Sequence, residues 1–135
     1  MIRRVSQPLP STSGKKINLV GQTVCQIRFS ISGPAARLTF RGEYGRLVEL
    51  AIEGDVLLRR GRDELALTGA QPGITFNPRE LHPLLELLDT QVSAVFAGTA
   101  GDVRLTFSND WELSLRDDEF DYPAWRLRSD GVSLL

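Results

Sequence analysis

The sequence predicts an α+β domain, mostly antiparallel β, in which two β-meander halves form a sheet or half-barrel with one helix near residues 77–89. Three observations carry this expectation. Apolar residues recur at every second position in one segment after another, which is the period of strands with one buried face. The breaks between these segments are short, and antiparallel strands accept short connections whereas parallel crossovers need a dozen or more residues. The tetrapeptide Arg-Leu-Thr-Phe occurs twice, at 37–40 and at 104–107, which points to an internal duplication.

Residues 1–20 read as an irregular N-terminal arm ahead of a single domain over 21–135, because Pro, Ser and Thr run together there beside Arg3, Arg4, Lys15 and Lys16. The positive start breaks at Gln7, Pro8 and Pro10 before an apolar run can form, so a cleaved leader is not expected. From Thr23 the alternation places Cys25, Ile27, Phe29 and Ile31 on one face of a first strand. Ser32-Gly33-Pro34 ends it, and Ala36, Leu38 and Phe40 make a second inward row. Val48, Leu50 and Ile52 make a third, with shorter strand candidates at Val56 to Arg59 and Glu64 to Thr68.

The helix signal is Asn77 as a cap, Pro78 at the first helical position and Glu80 as the acid of a capping box. Leu81, Leu84, Leu85 and Leu88 follow as one apolar stripe. Pro83 removes a backbone donor and disfavours helical geometry at His82, so the first turn is separate or the helix bends there. Alternation then returns with Val92, Ala94 and Phe96. The rows Val103-Leu105-Phe107 and Trp111-Leu113-Leu115 specify a hairpin. A three-residue loop Ser108-Asn109-Asp110 sets each apolar residue against another, whereas a two-residue turn would oppose Phe107 to Glu112. That loop asks Asp110 for a left-handed backbone. A gapless offset of 67 aligns residues 23–40 with 90–107 and matches Thr23 with Thr90, Phe29 with Phe96, and the repeated tetrapeptide.

Sixteen basic residues balance seventeen acidic ones, which excludes the broad basic footprint of a general nucleic-acid binder. No apolar stretch is long enough to span a bilayer, so no membrane partner is expected. One cysteine and one histidine cannot build a Cys/His zinc site, and a lone Cys25 cannot form an internal disulfide, which favours a reducing, cytoplasmic setting. Gly-x-Ser-x-Gly, phosphate-loop, dinucleotide-loop and His-Glu-x-x-His motifs are absent, so neither catalytic residues, metal nor cofactor are expected. Cys25 reads as a small core residue and His82 as a boundary residue.

The densest charge feature is the run Asp117, Asp118, Glu119 and Asp121, which reads as a solvated acidic loop or as a protein-binding patch. Tyr122 and Trp125 follow at once, and aromatics beside such a patch either anchor a partner or close the end of the core.

The segments Leu-Thr-Phe-Ser-Asn-Asp-Trp-Glu-Leu at 105–113 and Asp-Tyr-Pro-Ala-Trp-Arg-Leu at 121–127 resemble a family of small bacterial proteins with a domain of unknown function. Its members resemble toxin-immunity proteins and carry D-Y-x-A-W-x-L near the C-terminus. Asp121, Tyr122, Ala124, Trp125 and Leu127 fit that motif, while Asp110 stands where the family's turn usually has Gly and Pro123 where Glu is common. The resemblance covers residues 90–127 and implies a fold with no catalytic residue. The expected function is a non-enzymatic protein-binding module, immunity-like, that sets Asp117, Asp118, Glu119, Asp121, Tyr122 and Trp125 against a basic toxin-like partner. The alternative is a structural or regulatory subunit that self-associates as a homodimer.

Overall fold

The computed structural model describes residues 6–29, 36–53, 56–67, 82–98, 102–115, 125–129, 131–132 and 134. Its strands are β1 (Leu9–Pro10), β2 (Lys16–Ile17), β3 (Thr23–Phe29), β4 (Ala36–Arg41), β5 (Leu47–Ile52), β6 (Val56–Arg60) and β7 (Asp63–Leu67). After helix α1 (His82–Leu85) come β8 (Val92–Ala97), β9 (Val103–Phe107), β10 (Glu112–Leu115) and β11 (Trp125–Arg128). The first main sheet has the order β11-β5-β4-β3 and the second β7-β6-β10-β9-β8, while β1 and β2 pair by themselves. Every pairing is antiparallel, and between consecutive strands this is what the short connections require. The order ends at β11 and at β7, so among the described residues no barrel closes.

The two expected meanders are β3-β4-β5 and β8-β9-β10, and each then gives its next strand to the other sheet. β6 follows β5 yet pairs with β10, whereas β11 follows β10 and pairs with β5. Matching residues by their pairing register makes Leu38 the counterpart of Leu105, Leu50 of Leu113 and Leu127 of Leu58. The halves meet where Thr23 bridges Gln91. The hydrogen bonds around that bridge come as related pairs. Val24 N donates to Thr90 O at 2.9 Å and Val92 N to Gln22 O at 3.0 Å, while Gly21 N donates to Val92 O and Asp89 N to Val24 O, each at 2.8 Å. Gln22 N likewise donates to Leu19 O, and Thr90 N to Leu87 O. This is the pattern of a two-fold axis between Thr23 and Gln91. Gly21 (φ +86°) and its counterpart Asp89 (φ +66°) both take the left-handed conformation that the turn into each strand demands.

Two β-bulges correct the inward faces expected for the leading strands. In β3 the register shifts between Val24 and Gln26, and in β8 between Val92 and Ala94. An extra residue reverses the alternation beyond it. Val24 therefore joins the core with Ile27 packed beside it, while Cys25 is only part-buried and its Sγ–H donates to Thr39 O at 3.4 Å. In β8, Val92 and Val95 are buried and Phe96 is 41% exposed. Ser93 Oγ donates to Thr106 O at 3.1 Å, the same contact one repeat later. The pairing register also corrects the sequence offset, which is 67 between β4 and β9 but 68 between β3 and β8, because the β8–β9 connection is one residue shorter than the β3–β4 connection. Phe29 and Phe96 are therefore not equivalent.

The hairpin at 103–115 forms as expected. Leu105 opposes Leu113 and Val103 opposes Leu115, Phe107 N donates to Trp111 O at 2.9 Å, and Asp110 has φ +71°. The helix is shorter than expected, since only His82–Leu85 is α-helical within the described part of 77–89, residues 77–81 lying outside it. Glu86, Leu87 and Leu88 instead donate to the carbonyls three residues back, which tightens the chain to about three residues per turn. Leu84 and Leu87 thus face the core, and Leu85 and Leu88 remain 40% and 38% exposed. Within the stretch read as an irregular arm, β1 and β2 form a small hairpin, and Leu9 and Leu19 beside it are fully buried. One contiguous apolar core takes residues from both main sheets and from these leucines.

Two measurements test this arrangement. Leu19→Ala and Leu87→Ala remove equivalent, fully buried side chains, and each should cost about 2–5 kcal/mol in urea denaturation. Asp110→Gly should stabilise the protein by roughly 0.4–1 kcal/mol, because glycine takes the left-handed turn without a side-chain penalty.

Candidate functional site

The inner rows of both main sheets are apolar, so distinctive chemistry is confined to the outward positions. Directly paired residues share a face, which fixes two outward rows on the first sheet. One runs Arg28, Arg37, Ala51, Arg126, and the next Gln26, Thr39, Glu49, Arg128. Arg28 and Arg37 are opposed like charges, an arrangement that is unfavourable by itself. Glu49 offsets it. Its carboxylate lies 3.0 Å from Arg28 Nη2 and 3.7 Å from Arg128 Nη2, and the residue is only 5% exposed because the arginine stems cover it. Arg126 pairs with Glu53 at the end of β5.

Arg37 has no acidic partner among the described residues, and its Nε is buried without a hydrogen bond. Arg28 Nε and Thr39 Oγ1 on this face are also buried without a hydrogen bond. Four guanidinium groups against two carboxylates leave a local surplus of two positive charges. The small side chain of Ala51 leaves a hollow between Arg37 and Arg126. The result is a cavity of about 250 Å³ lined by Thr12, Arg37, Glu49, Ala51, Arg126 and Arg128. The β1–β2 hairpin walls one side, held to the edge of β11 by Thr12 N donating to Leu127 O at 2.9 Å.

The second sheet is an internal comparison. Its equivalent rows are Phe96, Arg104, Ser114, Leu57 and Ala94, Thr106, Glu112, Arg59. Glu112 repeats Glu49 and contacts Arg59 at 3.5 Å and Arg104 at 3.9 Å. Phe96 and Leu57, however, occupy the places of Arg28 and Arg126, and Arg104 lies over the Phe96 ring at 5.5 Å. The backbone repeats while the concentration of positive charge does not.

Of the residues expected to form a site, Asp117, Asp118, Glu119, Asp121 and Tyr122 lie outside the described residues. Trp125 opens β11 opposite Ile52 and packs, partly buried, against the core. Trp111 is buried, donates from Nε1 to Glu86 Oε2 at 2.6 Å and lies beneath Arg60 at 4.5 Å, which fastens the α1 turn to the β9–β10 hairpin. Arg28, Arg37, Glu49, Arg126 and Arg128 were not singled out by sequence reading. The available signal was arginine recurring at outward strand positions, but the β5–β11 pairing that gathers these residues is not local. Among the described residues no group of three or more His, Cys, Asp or Glu is placed to hold a metal ion, and no helix is long and apolar enough to cross a membrane.

The fold and this face define a strand-exchanged, two-sheet β protein with an arginine-lined pocket on one sheet. A family model matches residues 15–135, and the chain belongs to that family of unknown function, DUF6188. No curated protein and no solved structure matches the chain.

The shielding of Glu49 gives a direct test. Glu49→Gln leaves Arg28 and Arg128 without their shared counter-charge and should destabilise the fold by about 1–3 kcal/mol. The equivalent Glu112→Gln, at a carboxylate 27% exposed, should cost less than about 1 kcal/mol. Denaturation midpoints of the two variants at matched salt compare them directly.

Proposed function

We propose that this protein is a non-enzymatic binding module that docks an acidic segment of a partner protein on the outer face of its first sheet. The observation that carries the reading is the difference between the two equivalent faces. Arg28 and Arg126 stand on the first where Phe96 and Leu57 stand on the second, and only the first holds a surplus of two positive charges. The sign is opposite to the one expected from Asp117–Asp121, because the arginines come from strands distant in sequence. An immunity-type inhibitor, the role implied by the family resemblance, is one form such a module takes. The small surplus, its embedded carboxylate and a net charge of −1 favour an acidic protein segment over a nucleic-acid backbone.

A fluorescent oligoglutamate peptide serves as the probe. It should bind the parent, weaken about tenfold with Arg126→Gln/Arg128→Gln, and lose affinity as salt rises. The equivalent-sheet variant Arg59→Gln/Arg104→Gln should bind like the parent. Equal weakening by both double variants, or tighter binding of a DNA duplex of matched charge, would overturn the reading.

A further inference from the structure

We infer that the cavity over Ala51 is a binding site for one phosphomonoester group, which deepens the reading above by naming the group that anchors the ligand. Three arginines and the hydroxyl-bearing Thr12 line a single hollow, and these come from β4, β11 and the β1–β2 turn. A planar carboxylate has two oxygens and satisfies one guanidinium fork well. A phosphomonoester offers three terminal oxygens and carries about −1.5 to −2 charges at neutral pH, which matches the local surplus of two.

The donors are set up for an acceptor. Arg37 faces the hollow from directly beside Ala51, has no acidic partner among the described residues, and keeps its Nε buried and unbonded. Arg128 contacts Glu49 only at 3.7 Å, beyond hydrogen-bond distance, so its guanidinium donors are not consumed by that pair. Glu49 is the one lining group that opposes an anion. Its charge is met by Arg28 at 3.0 Å and Arg128, and its side chain is 6% exposed. Size limits the ligand as well. About 250 Å³ falls below the roughly 300–1,000 Å³ that encloses drug-sized molecules, so the cavity suits a charged group on a short stem. On the second sheet Leu57 stands in the place of Arg126 and Ser114 in that of Ala51, so the matching position keeps Arg104 and Arg59 but lacks the third arginine and the alanine floor.

Backbone amide NMR titration of the full chain with phenyl phosphate tests this, with benzoate as the carboxylate control. Saturable shifts should centre on residues 37, 51 and 126. Arg37→Gln removes a charge-assisted donor and should weaken binding about tenfold or more, with an unchanged melting temperature. Ala51→Leu should do the same by filling the floor while keeping every charge. Arg104→Gln, the counterpart of Arg37 on the second sheet, should leave the affinity within about twofold of the parent. If Ala51→Leu fails to fold, Arg37→Gln against Arg104→Gln still decides the matter. Inorganic phosphate binding as well as phenyl phosphate identifies a free phosphate-type ligand, and a phosphoserine tripeptide binding better identifies a phosphorylated side chain; either source upholds the site. Equal affinity for benzoate, equal loss in Arg104→Gln, or no saturable shift overturns it. Oligoglutamate binding that survives such a result leaves the acidic-segment reading standing, whereas phosphate binding without oligoglutamate binding removes that reading and keeps the site.

Discussion

The structure depends on a short backbone junction at which β3 and β8 run past each other. Four hydrogen bonds around the Thr23–Gln91 bridge join the sheets, and each has a counterpart generated by exchanging the two halves. Each half enters the junction through the same device, a buried leucine, a left-handed residue and a strand that bulges near its start. Leu19 and Leu87 fill equivalent core positions, and Gly21 and Asp89 turn the chain. The bulges then place Val24 and Val92 inward, so the backbone can cross between sheets while the core stays apolar.

Strand exchange turns that junction into one cooperative unit. Had β6 stayed with β5 and β11 with β10, each half would be a meander joined to the other by four hydrogen bonds and side-chain contact. Because β6 completes the second sheet and β11 the first, neither sheet forms without chain from both halves. A four- or five-stranded sheet with one apolar face is a unit that can hold together in water, whereas a bare hairpin is marginal. The exchange also places Arg126 and Arg128 beside Ala51 and Glu49, so the step that unites the core also assembles the charged face.

The architecture was largely legible in the sequence because it rests on local signals. Period-two rows located the strands, the apolar match across Ser108–Asp110 set the β9–β10 register, and the repeated tetrapeptide marked the equivalence of β4 and β9. What escaped was what a single residue or a distant pairing decides. A bulge is one extra residue in an otherwise regular run, so Cys25 and Phe96 read as inward until the pairing is known. The α1 leucines carry both α-helical and three-residue spacings, and the chain beyond Leu85 takes the tighter turn. The arginine face was illegible for a stronger reason. Arg37 and Arg126 are separated by most of the chain and meet only across Ala51, and nothing near Arg126 in sequence shows that its strand joins β5 and not the neighbouring β10.

The repeat turns the two outer faces into a comparison in which backbone geometry is held constant. Thr39 and Thr106 receive the same contact from the bulge, and Glu49 and Glu112 hold the same place between arginines, so these positions belong to the architecture. The positions at which charge diverges are Arg28 against Phe96 and Arg126 against Leu57. Folding does not require arginine there, since the second sheet completes the same pairing with apolar residues. Opposed Arg28 and Arg37 even work against the first sheet and need a nearly buried carboxylate to offset them. A charge arrangement that the fold can dispense with, and that must be compensated to be tolerated, is consistent with the binding role proposed above. The hollow over Ala51 is where the surplus charge, the buried unbonded Nε of Arg37 and the small side chain coincide.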